Sequence, residues 1–66
     1  MKLTINGEIQ EVPAEQTIEQ ITTQLGYDGQ AVAVALNNDF VPRSQHAQRK
    51  LHENDDLEIV SPIAGG

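Results

Sequence analysis

The sequence predicts an α+β fold, a small mixed β-sheet with one helix packed on one face. Three observations carry it. Lys2-Leu3-Thr4-Ile5 alternates polar and apolar and runs into Asn6-Gly7, the preferred pair for a two-residue type I′ hairpin. Thr17-Ile18-Glu19-Gln20 has the form of a capping box, and Ile18, Ile21, Thr22 and Leu25 follow at helical spacing. Beyond the helix lie an apolar run, residues 31–36, and an alternating one, residues 57–61, each bounded by turn residues.

In chain order, residues 2–5 form the first strand, with Leu3 and Ile5 inward. Residues 8–12 return as the second. Ile9 and Val12 differ in parity there, which implies a bulge or an early end to pairing, and Pro13 cannot donate to a ladder. The helix starts at the Thr17 N-cap, and Gly26 is placed to end it in a left-handed conformation. In residues 31–36, Val32, Val34 and Leu36 share one face and the three alanines the other. A run so short and β-branched reads as a strand whose larger face packs on the helix. Asn37-Asn38-Asp39 reads as a turn and Phe40-Val41-Pro42 as a short extended piece at a sheet edge. Residues 44–50 are polar, with room for one helical turn. Asn54-Asp55-Asp56 is another turn, and Leu57 and Ile59 point inward from the last strand.

That order, with the first and last strands side by side as a central parallel pair, is the β-grasp arrangement of ubiquitin. Residues 1–62 are read as the folded domain and 63–66 as an extended tail ending in Gly65-Gly66.

The chain has 66 residues, one Phe, one Tyr and no Trp, so its core is aliphatic. A domain of this size buries only about 60% of its unfolded surface. Enclosed ligand pockets occupy about 300–1,000 Å³, which leaves little chain to wall one, so a free-standing enzyme is not expected. A net charge of −6, without a basic stripe, excludes phosphate backbones and anionic membranes as partners. It favours a basic protein surface instead. There is no cysteine, hence no disulfide, thiol nucleophile or thiolate metal site. No long apolar run or signal-peptide pattern is present, and the cytoplasm is the expected compartment.

Candidate sites within the domain are few. His46 and His52 are read as solvated loop histidines, since a zinc site needs three or four convergent ligands; no metal is expected. The acidic pairs Glu8/Glu11, Glu15/Glu19 and Asp55/Asp56 lie outside apolar runs and read as solvated surface. Arg43 is expected to pair with a carboxylate of its own domain, with partner contact as the second reading. Ala33, Ala35 and Val60 should share the sheet face opposite the helix, with Pro62 and Phe40 near its edge. Such exposed apolar patches mark partner contact.

The diglycine offers a carboxylate without a neighbouring side chain, on a neck slim enough for a narrow channel. From Pro62 the chain can extend about 16 Å at about 3.3 Å per residue. That is enough for Ile63, Ala64 and Gly65 to thread Gly66 into a partner's active site. A carboxylate is a poor electrophile until adenylated, after which sulfur or an amine can attack.

The segment Val32-Ala33-Val34-Ala35-Leu36-Asn37-Asn38-Asp39-Phe40-Val41-Pro42-Arg43, together with Leu57-Glu58-Ile59 and Pro62-Ile63-Ala64-Gly65-Gly66, resembles the ThiS family, sulfur carrier proteins of thiamine biosynthesis. The resemblance covers essentially the whole chain. It implies that Gly66 is adenylated by a ThiF-type activating enzyme using ATP, the carrier itself binding no cofactor. Gly66 then becomes a thiocarboxylate, with sulfur from a cysteine desulfurase or related donor, and supplies the thiazole synthase ThiG. The free chain is expected to be a monomer. Two positions depart from the family pattern: His46 stands where an aromatic residue is frequent, and Asn54 where glycine is common. Three other readings remain beside this one: a MoaD-like carrier for molybdopterin synthesis, a ubiquitin-like tag joined to lysines, and an interaction module whose glycine tail is incidental.

Overall fold

Asn6 and Gly7 both take positive φ, 51° and 84°, as the type I′ turn requires. They join strand β1 (Lys2–Ile5) to β2 (Glu8–Glu11) in an antiparallel hairpin. The structure, a computed structural model, describes residues 1–27 and 31–61; the expected tail, with Pro62, Ile63, Ala64, Gly65 and Gly66, lies outside the described residues. The parity conflict in β2 is resolved at Ile9, which turns outward, and the expected bulge or early end does not occur. The register runs unbroken from Ile5 opposite Glu8 to Lys2 opposite Glu11. Met1 and Val12 exchange hydrogen bonds beyond it at 2.6 and 2.9 Å, and Val12 rests half-buried against the core.

Helix α1 (Ile18–Gln24) carries the expected capping box. Thr17 Oγ1 accepts the Gln20 N–H at 3.2 Å, and Gln20 Oε1 accepts the Thr17 N–H at 2.8 Å. At the other end Gly26 takes φ 94°. Its N–H reaches Thr23 O at 3.1 Å and the Tyr27 N–H reaches Thr22 O at 2.9 Å, which together make a Schellman motif.

Strand β3 (Ala33–Leu36) pairs with β4 (Asp39–Val41) across Asn37 and Asn38, at φ 51° and 71°. This second two-residue turn is shorter than the expected one, because Asp39 pairs with Leu36 as part of β4. The final strand, β5 (Asp56–Val60), lies between β1, parallel to it, and β3, antiparallel. The order β2-β1-β5-β3-β4 is the β-grasp sheet. One face is covered by α1, and Leu3, Ile5, Ile18, Ile21, Val34, Leu36, Val41, Leu51, Leu57 and Ile59 form the core beneath it.

His46 corrects the sequence reading. It is only 7% exposed, and its Nε2 lies 3.1 Å from the carbonyl oxygen of Val41. A single 3₁₀ turn, Arg43–Gln45, folds the following segment over the start of α1. The carbonyls of Arg49 and His46 accept the N–H groups of Ile18 and Glu19, each at 3.0 Å. With Thr17 supplying acceptors for Gln20 and Ile21, the first four N–H groups of the helix are all satisfied. His46 is thus a packing residue of the strap that holds the helix, whereas His52 is exposed as expected.

Candidate functional site

The sheet face away from α1 is uncovered, and its strand register decides what it displays. Ala33 stands opposite Val60, and Ala35 stands opposite Glu58 on one side and Phe40 on the other. Side chains of such partners project from the same face. Ala33, Ala35, Phe40 and Val60, the four patch residues that can be placed, therefore converge; Pro62 lies outside the described residues. They line a shallow basin of about 160 Å³, with Val34 at its base and Glu58 at its margin. Phe40 is 69% exposed and Val60 66%, high values for large apolar groups with no work to do in the core.

The small residues make the basin. Alanine methyls on β3 leave a low floor between the Phe40 ring on β4 and the β5 side chains. Glu58 is the member that sequence reasoning passed over. The signal was present in Leu57-Glu58-Ile59-Val60, where alternation sets Glu58 on the face of Val60. Ile9, 73% exposed, shares this sheet face but stands opposite Thr4 near the other edge, apart from the basin.

Position relative to the tail gives the basin its interest. β5 runs through the centre of the sheet and delivers Val60 to the basin, so the chain leaves the described fold beside it at Ser61. Two asparagines hold that strand. Asn6 Oδ1 accepts the Ile59 N–H at 2.8 Å, and Asn37 Oδ1 accepts the Asp56 N–H at 2.9 Å. Asp55 acts as the turn residue it was read to be, its carboxylate accepting the His52 N–H and the Asn37 side-chain amide.

The other candidates do not assemble. Among the described residues no group of three or more His, Asp or Glu is placed to hold a metal. The expected Arg43 ion pair is absent there too; the pairs present are the Met1 amine with Glu11 at 3.2 Å and His52 with Asp55 at 3.9 Å. No described helix is long and apolar enough to cross a membrane.

A five-stranded sheet grasping one helix, with an apolar basin beside the exit of a central last strand, defines a small ubiquitin-like β-grasp protein. The ThiS family model matches residues 3–66, and the chain belongs to the ThiS family. It is 32% identical over 66 residues to the sulfur carrier protein ThiS of Escherichia coli K12, covering all of both chains. It is 46% identical over 66 residues to a thiazole synthase of Paramagnetospirillum magneticum, of which it spans only 20% of the length. Among solved structures, the crystal structure of the thiamine biosynthesis protein ThiS from Geobacter metallireducens matches with a TM-score of 0.82. That match has 26% identity over the whole of both chains.

Proposed function

We propose that this protein is the sulfur carrier for thiazole formation in thiamine biosynthesis and acts as a co-substrate of partner enzymes, not as an enzyme itself. The carrying observation is the end-to-end match to the E. coli sulfur carrier together with identity to thiazole synthases across the whole chain. Gly66 is the modified residue. A ThiF-type enzyme transfers the adenylyl group of ATP to its carboxylate with release of pyrophosphate. A donor persulfide then displaces AMP to give an acyl disulfide, and a thiol cleaves it, releasing the thiocarboxylate and leaving donor and thiol joined as a disulfide. Sulfur originates from a cysteine desulfurase or a related donor, and the thiocarboxylate passes it to a ThiG-type thiazole synthase. ATP is consumed by the activating enzyme, and the carrier needs no bound cofactor.

In this reading Ile63, Ala64 and Gly65 thread the partner's channel. Ala33, Ala35, Phe40, Val60 and Pro62 seat the domain against the partner, and the free carrier is a cytoplasmic monomer. The absence of cysteine supports a route in which sulfur rides on the main-chain carboxylate. A carrier for molybdopterin synthesis would use the same chemistry with another acceptor. The two are separated by complementation: the gene should restore growth without thiamine to a strain lacking its own thiazole sulfur carrier. Rescue of a molybdenum-cofactor mutant in its place would overturn the thiazole assignment.

A further inference from the structure

Glu58 is a carboxylate set at the edge of an apolar basin without an ion-pair partner among the described residues. Of the chain's four basic residues, Arg43, Arg49 and Lys50 belong to the strap segment, and Lys2 shares this sheet face but stands on β1 four residues from the level of Glu58. A partner that covers the basin desolvates this carboxylate, which then calls for a cation on the partner. The register makes the requirement narrower. Ala35 is flanked by Phe40 on β4 and Glu58 on β5, so the backbones of Phe40 and Glu58 stand two strand spacings apart, about 10 Å, with one methyl group between them.

A guanidinium seated over the Ala35 methyl has both residues beside it. Its plane can lie against the Phe40 ring, where a cation is attracted within about 6 Å of the ring centre. Its N–H fork can meet Glu58 in a charge-assisted pair at about 2.8 Å. The aliphatic stem of an arginine would run over Ala33 and Val60, which stand opposite each other on the same face. A lysine ammonium is compact and strongly hydrated, gains less from stacking and cannot form the fork.

We infer that the Phe40–Ala35–Glu58 slot receives an arginine side chain from a protein partner, the arginine being flanked by apolar residues that fill the rest of the basin. The inference rests on the reading of this face as the partner surface and adds the chemistry of what the partner presents. The net charge of −6 draws such a partner in, and the slot fixes its register on the sheet.

The test titrates the isotope-labelled full chain with acetyl-Leu-Arg-Leu-amide and acetyl-Leu-Lys-Leu-amide at low salt, following backbone amide shifts. The arginine peptide should shift Ala35, Phe40, Glu58 and Val60, and should bind more tightly than the lysine peptide. Glu58→Gln should weaken it about tenfold, and Phe40→Leu about threefold. Glu8→Gln, the same charge change on β2, should leave it unaltered. Shifts absent from the basin, equal affinity for the two peptides, or unchanged binding by Glu58→Gln would each overturn the assignment. Sulfur loading of the same variants is read separately. A carrier that loads sulfur yet shows no arginine-dependent shift loses this inference and keeps the carrier function. Arginine binding without sulfur loading does the reverse.

Discussion

The side-chain oxygen of Asn6 accepts a hydrogen bond from the backbone N–H of Ile59 at 2.8 Å, although the two residues are 53 apart in sequence. A turn residue of the first hairpin thereby extends the parallel pairing past the end of β1 and fixes the strand that leads to the tail. Asparagine suits both demands, tolerating φ 51° and carrying an acceptor.

Replacement at Asn6 should separate those two contributions. Asn6→Gly keeps the conformation and loses the acceptor, at a cost of about 1–2 kcal/mol. Asn6→Ala adds left-handed strain of about 1–2 kcal/mol. Urea midpoints should fall in the order wild type, Gly, Ala. Equal midpoints for all three would show that Ile59 is held without this bond.

Leu57 is fully buried on the central strand, while Ile9 is 73% exposed. Leu57→Ala should cost about 2–5 kcal/mol, against a margin of about 3–5 kcal/mol for a core this small. The variant should be largely unfolded at 37 °C by circular dichroism. Ile9→Ser should leave the melting curve within about 0.5 kcal/mol of wild type. A stable Leu57→Ala protein would mean that the core relies on other contacts.

His46 should matter to the helix more than to partners. His46→Ala empties a buried position and removes the bond to the Val41 carbonyl, lowering stability by about 1–3 kcal/mol. His46→Phe keeps the apolar bulk and should recover more than half of that loss. Hydrogen exchange at the Ile18 and Glu19 amides, which bond to the strap, is the local readout. Faster exchange at both in His46→Ala alone is expected, and unchanged exchange would detach His46 from the strap's role.

Phe40 and Val60 contribute little to the core, so their loss should be felt at a partner. Phe40→Ser and Val60→Ser should each weaken binding to a ThiF-type enzyme by about tenfold or more, as truncation of a central anchor does. Thermal stability should change by less than about 1 kcal/mol. Ile9→Ser should bind like wild type, because Ile9 stands apart from the basin. A weakened Ile9→Ser protein would move the contact to the other half of the sheet.

Much of this fold was legible because its signals are local. The Asn6-Gly7 turn, the Thr17–Gln20 capping box, the Gly26 terminator and the alternation in β5 each announce themselves within a few residues. Alternation in β3 and β5 likewise places Ala33, Ala35 and Val60 on one face. What escaped notice was non-local. The helix start is completed by main-chain carbonyls of His46 and Arg49, and a carbonyl carries no residue signature. His46 sits in a polar segment, so nothing nearby announces that its ring is buried under the strap. Both departures from the ThiS pattern acquire a physical account. Asn54 takes φ 70°, which glycine also adopts freely, and His46 fills a buried site that an aromatic ring would fill.

The central claim concerns the carboxylate of Gly66, and mass spectrometry of the intact protein tests it most directly. The chain is incubated with its activating enzyme, ATP and a sulfur donor, alongside a variant lacking Gly66. Wild-type protein should gain the mass difference of one sulfur for one oxygen, only when ATP is present, while the shortened variant stays unchanged and folded. An unmodified wild-type protein under those conditions, or the same gain in the variant, would contradict the claim.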